Sequence, residues 1–558
     1  MARTPLFSLV RRSLRLANAS LDVPQDAAAL VEERRERAVV SRRDFLRSTA
    51  AVSTVAALDA CVRPRRTGGV TAGGQPVIVV GAGIAGLTTA YRLRQAGVPV
   101  RVIEAQGRIG GRMFSLRNFF ADGQVCELGG ELIDTPHTHI QALAGELGIQ
   151  LDDLSTDDPS LAHDVWYFGG ARRTDAEVVE AFRPIAERIR SDLATVSDPD
   201  TISYRSPNNA ESLDRMSLAA WLDRAGVSGW VRSLLDVAYT TEYGLEPQAQ
   251  STLNLLLMIE LAGNEFRIFG ESDERYHVRG GNDLITSALA KRLGDAIETG
   301  QVLESVSPRP DGSFELSVRR GSTSVAMQAP HVVLAIPFTL LRDVRLNVDL
   351  PPVKRRAIAE LGYGTNAKLM VGFNERVWRT RHRSNGSVLT DLPFQLTWET
   401  SRLQAGRSGI LTNFTGGAHG VALGQGTPAE QAAKLADDLD RILPGVAAAR
   451  VGMKEARFHW PSFPWTRGSY ASYLAGQWTG LAGAEREPVG NLHFAGEHCS
   501  RDAQGFIEGG CEAGEAAASE ILSAMGVRRD ASRTPARRAA LRAWALRGAG
   551  ELAEAIPA

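Results

Sequence analysis

With 558 residues, 44% of them apolar and 23% charged, the chain can bury a large core, and its length points to more than one domain. Sixty-three basic side chains balance 64 acidic ones, so the net charge of −1 excludes a global pull toward nucleic acid or an anionic membrane and leaves small molecules as expected partners. The four cysteines, Cys61, Cys126, Cys499 and Cys511, form no CxxC pair and are too few to staple such a chain, so neither a disulfide framework nor a metal is expected.

Residues 1–74 read as an address. "SRRDFLR", Ser41 to Arg47, stands before the weakly apolar run "STAAVSTVAALDA", the order of a twin-arginine export signal. That run falls short of the roughly 20 apolar residues a membrane-spanning helix needs, so it predicts a signal rather than an anchor. The expected partner is the twin-arginine machinery, and the expected location is periplasmic or extracellular. "LDAC" resembles a lipoprotein cleavage box in which Cys61 would be acylated, although Asp59 fits it poorly.

The next stretch, "VIVVGAGIAGLTTAYRLRQAGVPVRVIEA", predicts a strand over Val77–Val80, a glycine turn, a helix that Gly97 can end, and a second strand closing on Glu104. Gly81 permits the sharp turn, Gly83 a close approach to a pyrophosphate, and Gly86 tight helix–strand packing. The helix N-terminus offers free N–H groups to phosphate, and Glu104 suits ribose hydroxyls while repelling a 2′-phosphate. Then come "RIGGR" (Arg108 to Arg112) and "ELGGELID" (Glu127 to Asp134). In "TPHTHI", His137 and His139 stand two apart and leave a helix in different directions, so Thr135-Pro136 reads as a helix start and not a metal pair. "AEVVEAFRPIAERIRSDLATV" predicts a helix; "YHVRGGNDLITSALAKRL", "TGQVLESV" and "HVVLAIP" carry further strand-and-glycine patterns. "GYGTNAKLMVGF" reads as a strand with one amine, Lys368, in its middle, which on these residues alone fits the solvated face of a half-buried strand as well as a site. Near the end stands a second glycine-rich segment, "LHFAGEHCSRDAQGFIEGGCEAGEAAASEI", and the tail predicts an Ala/Arg-rich helix with one apolar stripe.

Together these motifs, from about Pro76 to Ile521, resemble the flavin-containing amine oxidase family, which includes monoamine, polyamine and L-amino-acid oxidases. The resemblance implies an α/β fold: a Rossmann-like FAD-binding domain from residues 75–150, 279–345 and 463–525, an α+β substrate domain with a mixed sheet flanked by helices from 151–278 and 346–462, and a helical tail at 526–558. It implies FAD contacts at Arg108, Arg112, Gly129 and Gly130, at Val302 beside the adenine, at Glu497 by the ribityl chain, and at Gly505, Glu508, Gly509 and Gly510. Lys368 matches a lysine that holds a water against the flavin N5 atom. Tyr470 and Phe506 match the two walls of an aromatic cage. Ser469 stands where mammalian monoamine oxidases carry the cysteine that links FAD covalently, which implies noncovalent FAD.

The activity so implied is oxidation of a primary or secondary amine to an imine, with O2 reduced to H2O2. An L-amino-acid oxidase is the alternative; a flavin desaturase or dehydrogenase and a non-catalytic flavin-binding protein stand further back. Leu132 occupies the place of the arginine that clamps an amino acid's carboxylate. Glu131 beside it suits a cationic amine, while Arg267 or Arg275 is the remaining candidate for a clamp. A homodimer is an option the residues do not decide.

Overall fold

The computed structural model describes residues 75–162, 164–258 and 273–527. The leader with Cys61, the stretch holding Arg267 and the tail from residue 528 lie outside the described residues.

Four remote pieces of chain build a five-stranded sheet in the order Leu492–Phe494, Val332–Leu334, Val77–Val80, Val100–Ile103 and Ile297–Glu298, with every neighbour parallel. Val77–Val80 is buried at all four positions, as a parallel strand covered on both faces must be. The helix Ile84–Gln95 follows it directly. The helix Ile507–Ala524, from the other end of the chain, lies against that helix, and Thr89 donates its hydroxyl to the Gly514 carbonyl at 3.0 Å. A four-stranded sheet, in the order Thr323–Ala329, Phe314–Arg320, Gln301–Pro308 and Arg345–Leu346, extends this half.

A seven-stranded mixed sheet runs in the order Arg450–His459, Ala367–Phe373, Gly409–Thr415, Leu396–Glu399, Val388–Thr390, Val165–Phe168 and Ala171–Arg173. Its one parallel pairing joins Val165–Phe168 to Val388–Thr390. Ala367–Phe373 is buried at every position, so the strand has no solvated face on which Lys368 could rest. Period-two alternation sends Ala367, Leu369, Val371 and Phe373 into one core with the helix Pro428–Asp440. Met370, pointing the other way, packs with Phe120, Cys126 and Leu128, and Lys368 shares its direction. No helix among the described residues is long and apolar enough to cross a membrane.

Candidate active site

A cavity of about 750 Å³ opens at the C-terminal ends of the parallel strands and runs to the face of the mixed sheet that carries Lys368. Gly81, Glu104, Ala335 and Gly496, each just beyond a strand of the first sheet, form its floor, where open α/β sheets place their ligands.

The glycine turn divides its tasks. Gly81 has φ +103°, and a Cβ there would lie 2.6 Å from the Ala335 carbonyl oxygen. At Gly86 a Cβ would lie 2.0 Å from the Gly81 oxygen, so that glycine is a packing contact and not part of the cavity wall. Gly83 lines the cavity, yet a Cβ on it would meet no protein atom within 4 Å. The space beside Gly83 is therefore ligand space.

Glu104 accepts one N–H on each carboxylate oxygen, from Ala82 and Gln106, both at 2.8 Å. Burial pushes its carboxyl above the usual range despite those bonds. Each oxygen keeps a lone pair for a ribose hydroxyl. Val302 lines the same end from the strand Gln301–Pro308. Glu497 knots three segments together: Oε1 accepts from Arg112 Nη1 at 2.7 Å and from the Ala471 N–H at 3.2 Å, while Oε2 accepts the Gly505 N–H at 2.8 Å. Gly129 lies so close to Arg112 that a Cβ would stand 1.8 Å from its carbonyl oxygen, and Gly130 continues the wall. A cradle of turn glycines, a ribose-facing acid and a helix N-terminus at one end, with a second glycine segment at the other, fits FAD.

Two residues expected at the cofactor are turned elsewhere. Arg108 lies 4.1 Å over the Phe114 ring and donates to the Ile109 and Gly111 carbonyls, so it braces the loop and does not line the cavity. Glu508 accepts the His139 and Ile140 N–H groups, both at 2.8 Å, and so caps the helix Thr138–Leu147. Each sits inside a cofactor motif, but packing against a neighbouring segment decides where its side chain points. Arg275 is held by Asp153 at 2.7 and 3.0 Å and is no free carboxylate clamp.

At the far end Lys368, only 3% exposed, donates to Glu131 Oε2 at 2.6 Å and to the Gly129 carbonyl at 3.0 Å. Glu131 is thus the partner of the lysine, not the free acid expected to meet a cationic amine. Desolvation alone would raise its carboxyl, but the Lys368 charge and the hydrogen bonds from Lys368 and Thr400 bring it below the ordinary value. Tyr470 and Phe506 line the same cavity with Trp398 and Phe414, two aromatics the sequence did not single out. The Tyr470 hydroxyl donates to the Glu242 carbonyl at 3.0 Å, and the Phe506 ring packs edge-on to His137 at 4.8 Å. Ser469 donates to Asn366 Oδ1 at 2.7 Å. Asp134 and Glu274 add acid to the wall; burial and the nearby Asp134 raise the Glu274 carboxyl well above its usual range. Asp134 stood in a quoted motif, whereas Trp398, Phe414 and Glu274 carried no spacing signal.

Residues 84–522 match the family model described as flavin containing amine oxidoreductase. An amine oxidase [flavin-containing] of Danio rerio is 27% identical over 467 residues, 82% of this chain and 87% of that protein. An L-amino acid dehydrogenase of Synechocystis sp. is 26% identical over 463 residues, 80% of this chain and 94% of that protein. Among solved structures, the cyclohexylamine oxidase of Brevibacterium oxydans superposes with a TM-score of 0.71 at 24% identity, covering 81% of this chain and all of the other. A putrescine oxidase bound to putrescine gives 0.68 at 22%, covering 81% and 99%. Since the family match spans both the glycine-turn sheet and the lysine-bearing sheet, the chain belongs to the flavin-containing amine oxidoreductases and is an FAD-dependent amine oxidase.

Proposed function

We propose that this amine oxidase acts on amines that carry no carboxylate. One observation carries the reading: among the described residues, every arginine of the cavity wall is committed away from the Lys368 end. Arg112 pairs with Glu497, Arg467 with Asp343, and Arg319 and Arg345 flank the strand of Val302. Asp134 and the rings of Trp398, Phe414, Tyr470 and Phe506 remain, a lining that offers a substrate carboxylate no arginine and accepts an apolar or cationic amine.

The chemistry supplied by bound FAD is hydride acceptance from the carbon bearing the amine, which leaves an imine for water to hydrolyse, and delivery of the electrons to dioxygen as peroxide. The protein's share is placement and dryness. Tyr470 and Phe506 align the substrate between two ring faces, with Tyr470 held by its bond to Glu242. Lys368 supplies positive charge where electrons pass to dioxygen. Ser469 offers a hydroxyl and no thiolate for covalent attachment, so acid precipitation should release the flavin into solution.

The Synechocystis relative favours a second reading, oxidation of L-amino acids. Anaerobic mixing separates the two. Aliphatic amines, aromatic amines, polyamines and L-amino acids are each added to the yellow protein, flavin absorbance is followed, and oxygen is then admitted with a peroxide assay. Amines are expected to bleach the flavin at least about tenfold faster than L-amino acids, a difference of roughly 1.4 kcal/mol in barrier. Faster bleaching by an L-amino acid would overturn the reading. The paired Arg42 and Arg43 support export by the twin-arginine route. Residues 1–74 should then carry a reporter across the membrane, and their Arg42→Lys/Arg43→Lys form should not.

A further inference from the structure

We propose that Glu131 is the positioning residue of Lys368: it holds the lysine as a fixed ammonium against the Gly129 carbonyl. The inference rests on the reading of Lys368 given above and goes beyond it, because that reading names the charge without saying what holds it in place.

The geometry is closed on every side. Glu131 Oε2 accepts a hydrogen bond from Lys368 Nζ at 2.6 Å; Oε1 accepts from Trp398 Nε1 at 2.9 Å and from the Thr400 hydroxyl, which is itself 2.9 Å from the Thr412 hydroxyl. Trp398, Thr400 and Thr412 belong to the mixed sheet or its edge, whereas Glu131 and Gly129 come from the loop after Glu127. The carboxylate is therefore fixed by one sheet while reaching across from another part of the fold. Lys368 Nζ also lies 5.2 Å from the centre of the Trp398 ring.

Of the groups around the pair, His277 also acts on Glu131. Cys126 faces both groups as a neutral thiol, pushed up by burial. Burial opposes the charged imidazole of His277, but Glu127, bonded to it at 3.1 Å, together with Glu131 and Asp152 raises it above its ordinary value. Beyond Glu131 and Leu132 lies a second cavity of about 410 Å³ whose charged lining is Asp152, His277, Arg279, Glu399 and Arg402. No second carboxylate among the described residues bonds the Lys368 ammonium. Without the Glu131 charge the buried ammonium has no counter-ion, and burial without a partner disfavours the charged form.

The test uses flavin reduced with dithionite, so no amine substrate enters it. Wild type, Glu131→Gln, Lys368→Met and the double variant are mixed with oxygen from about pH 6 to about pH 10, and flavin reoxidation is followed by stopped flow. Wild type should be flat over most of this range and Lys368→Met slower by about tenfold or more throughout. Glu131→Gln should approach wild type at the acid end and fall toward Lys368→Met as pH rises. Thermal unfolding of the apoproteins gives a readout independent of turnover. Burial without a counter-charge disfavours an ammonium, so relative to wild type Glu131→Gln should gain stability as pH rises toward the ordinary lysine range, and the double variant should not. A merely structural ion pair would lower stability without moving the reoxidation profile.

A Glu131→Gln profile superimposed on wild type overturns the inference. Lys368→Met reoxidising like wild type instead overturns the role of Lys368 itself. Should Glu131→Gln fail to fold, Thr400→Val removes one donor to the carboxylate and should show a smaller shift of the same sign; an unchanged profile there overturns the inference equally.

Discussion

Lys354 shows how far one residue can depart from what its sequence neighbourhood suggests. In "PPVKRRAIAE" it reads as one more solvated cation, yet it is 1% exposed, donates to the Glu485 carbonyl at 2.8 Å and lies 3.8 Å from the centre of the Phe494 ring. Its partner is a backbone oxygen 131 positions away, which no spacing rule can find. Burial pulls the ammonium down to about 8 and pushes the Glu485 carboxyl up to about 7. Between about pH 8 and the unfolded lysine value near 10.4, the unfolded chain binds the extra proton at this residue, so the Lys354 contribution to stability should rise with pH in that window by up to about 3 kcal/mol. Glu485 has the opposite sign: the folded carboxyl keeps its proton up to about 7, so its contribution falls as pH climbs from near 4.3 through that value. In Lys354→Met the lysine's contribution should vanish, so wild type should gain on the variant as pH climbs through the window. Thermal unfolding midpoints of both proteins check this, and a difference between them that stays constant with pH would refute the assignment to Lys354.

At the scale of elements, the contact between the helices Ile84–Gln95 and Ile507–Ala524 depends on missing side chains. A Cβ on Gly514 would lie 2.4 Å from the Ala85 carbonyl oxygen and 3.0 Å from Thr88 Cβ, and one on Gly510 would lie 2.7 Å from Ile84 Cγ2. Gly514→Val should therefore force the two ends of the chain apart and lower stability by about 1–3 kcal/mol or more. Gly145, on the exposed side of the helix Thr138–Leu147, is the control: a Cβ there meets nothing within 4 Å, so Gly145→Ala should stabilise by roughly 0.5–1 kcal/mol. Denaturant midpoints on the two variants should move in opposite directions; a midpoint unchanged by Gly514→Val would mean the helices can separate without cost. The strand–turn–helix at Val77 and the strand of Lys368 were legible because apolar runs, glycines and terminal acids are local signals. What stayed hidden is direction. Glu131 stands 237 residues from Lys368 and was readable only as an acid near the lysine's cavity, not as its partner. Arg108 and Glu508 were assigned to the cofactor by their place in a motif, whereas contacts with Phe114 and with the helix at Thr138 aim them away from it.

For the whole molecule, the cavity gathers residues that follow four strands drawn from three remote segments, so a ligand filling it ties together pieces that otherwise meet mainly through the parallel sheet. FAD should then stabilise the entire fold by mass action, about 2.7 kcal/mol at a free concentration of 100 times its dissociation constant, with the unfolding temperature rising as the logarithm of FAD concentration. Gly83 lets that coupling be separated from the fold. Its φ of −76° suits any L-residue, and its missing Cβ points at no protein atom within 4 Å. Gly83→Val should accordingly leave the apoprotein melting where wild-type apoprotein melts, while its branched side chain enters the space a pyrophosphate would occupy. Calorimetry of both apoproteins with and without FAD gives the comparison. Equal melting without coenzyme, and an FAD-dependent rise in wild type alone, are expected. An equal rise in both would move the coenzyme away from the glycine turn, and a lower apoprotein midpoint in Gly83→Val would mean that the new side chain collides with the protein itself.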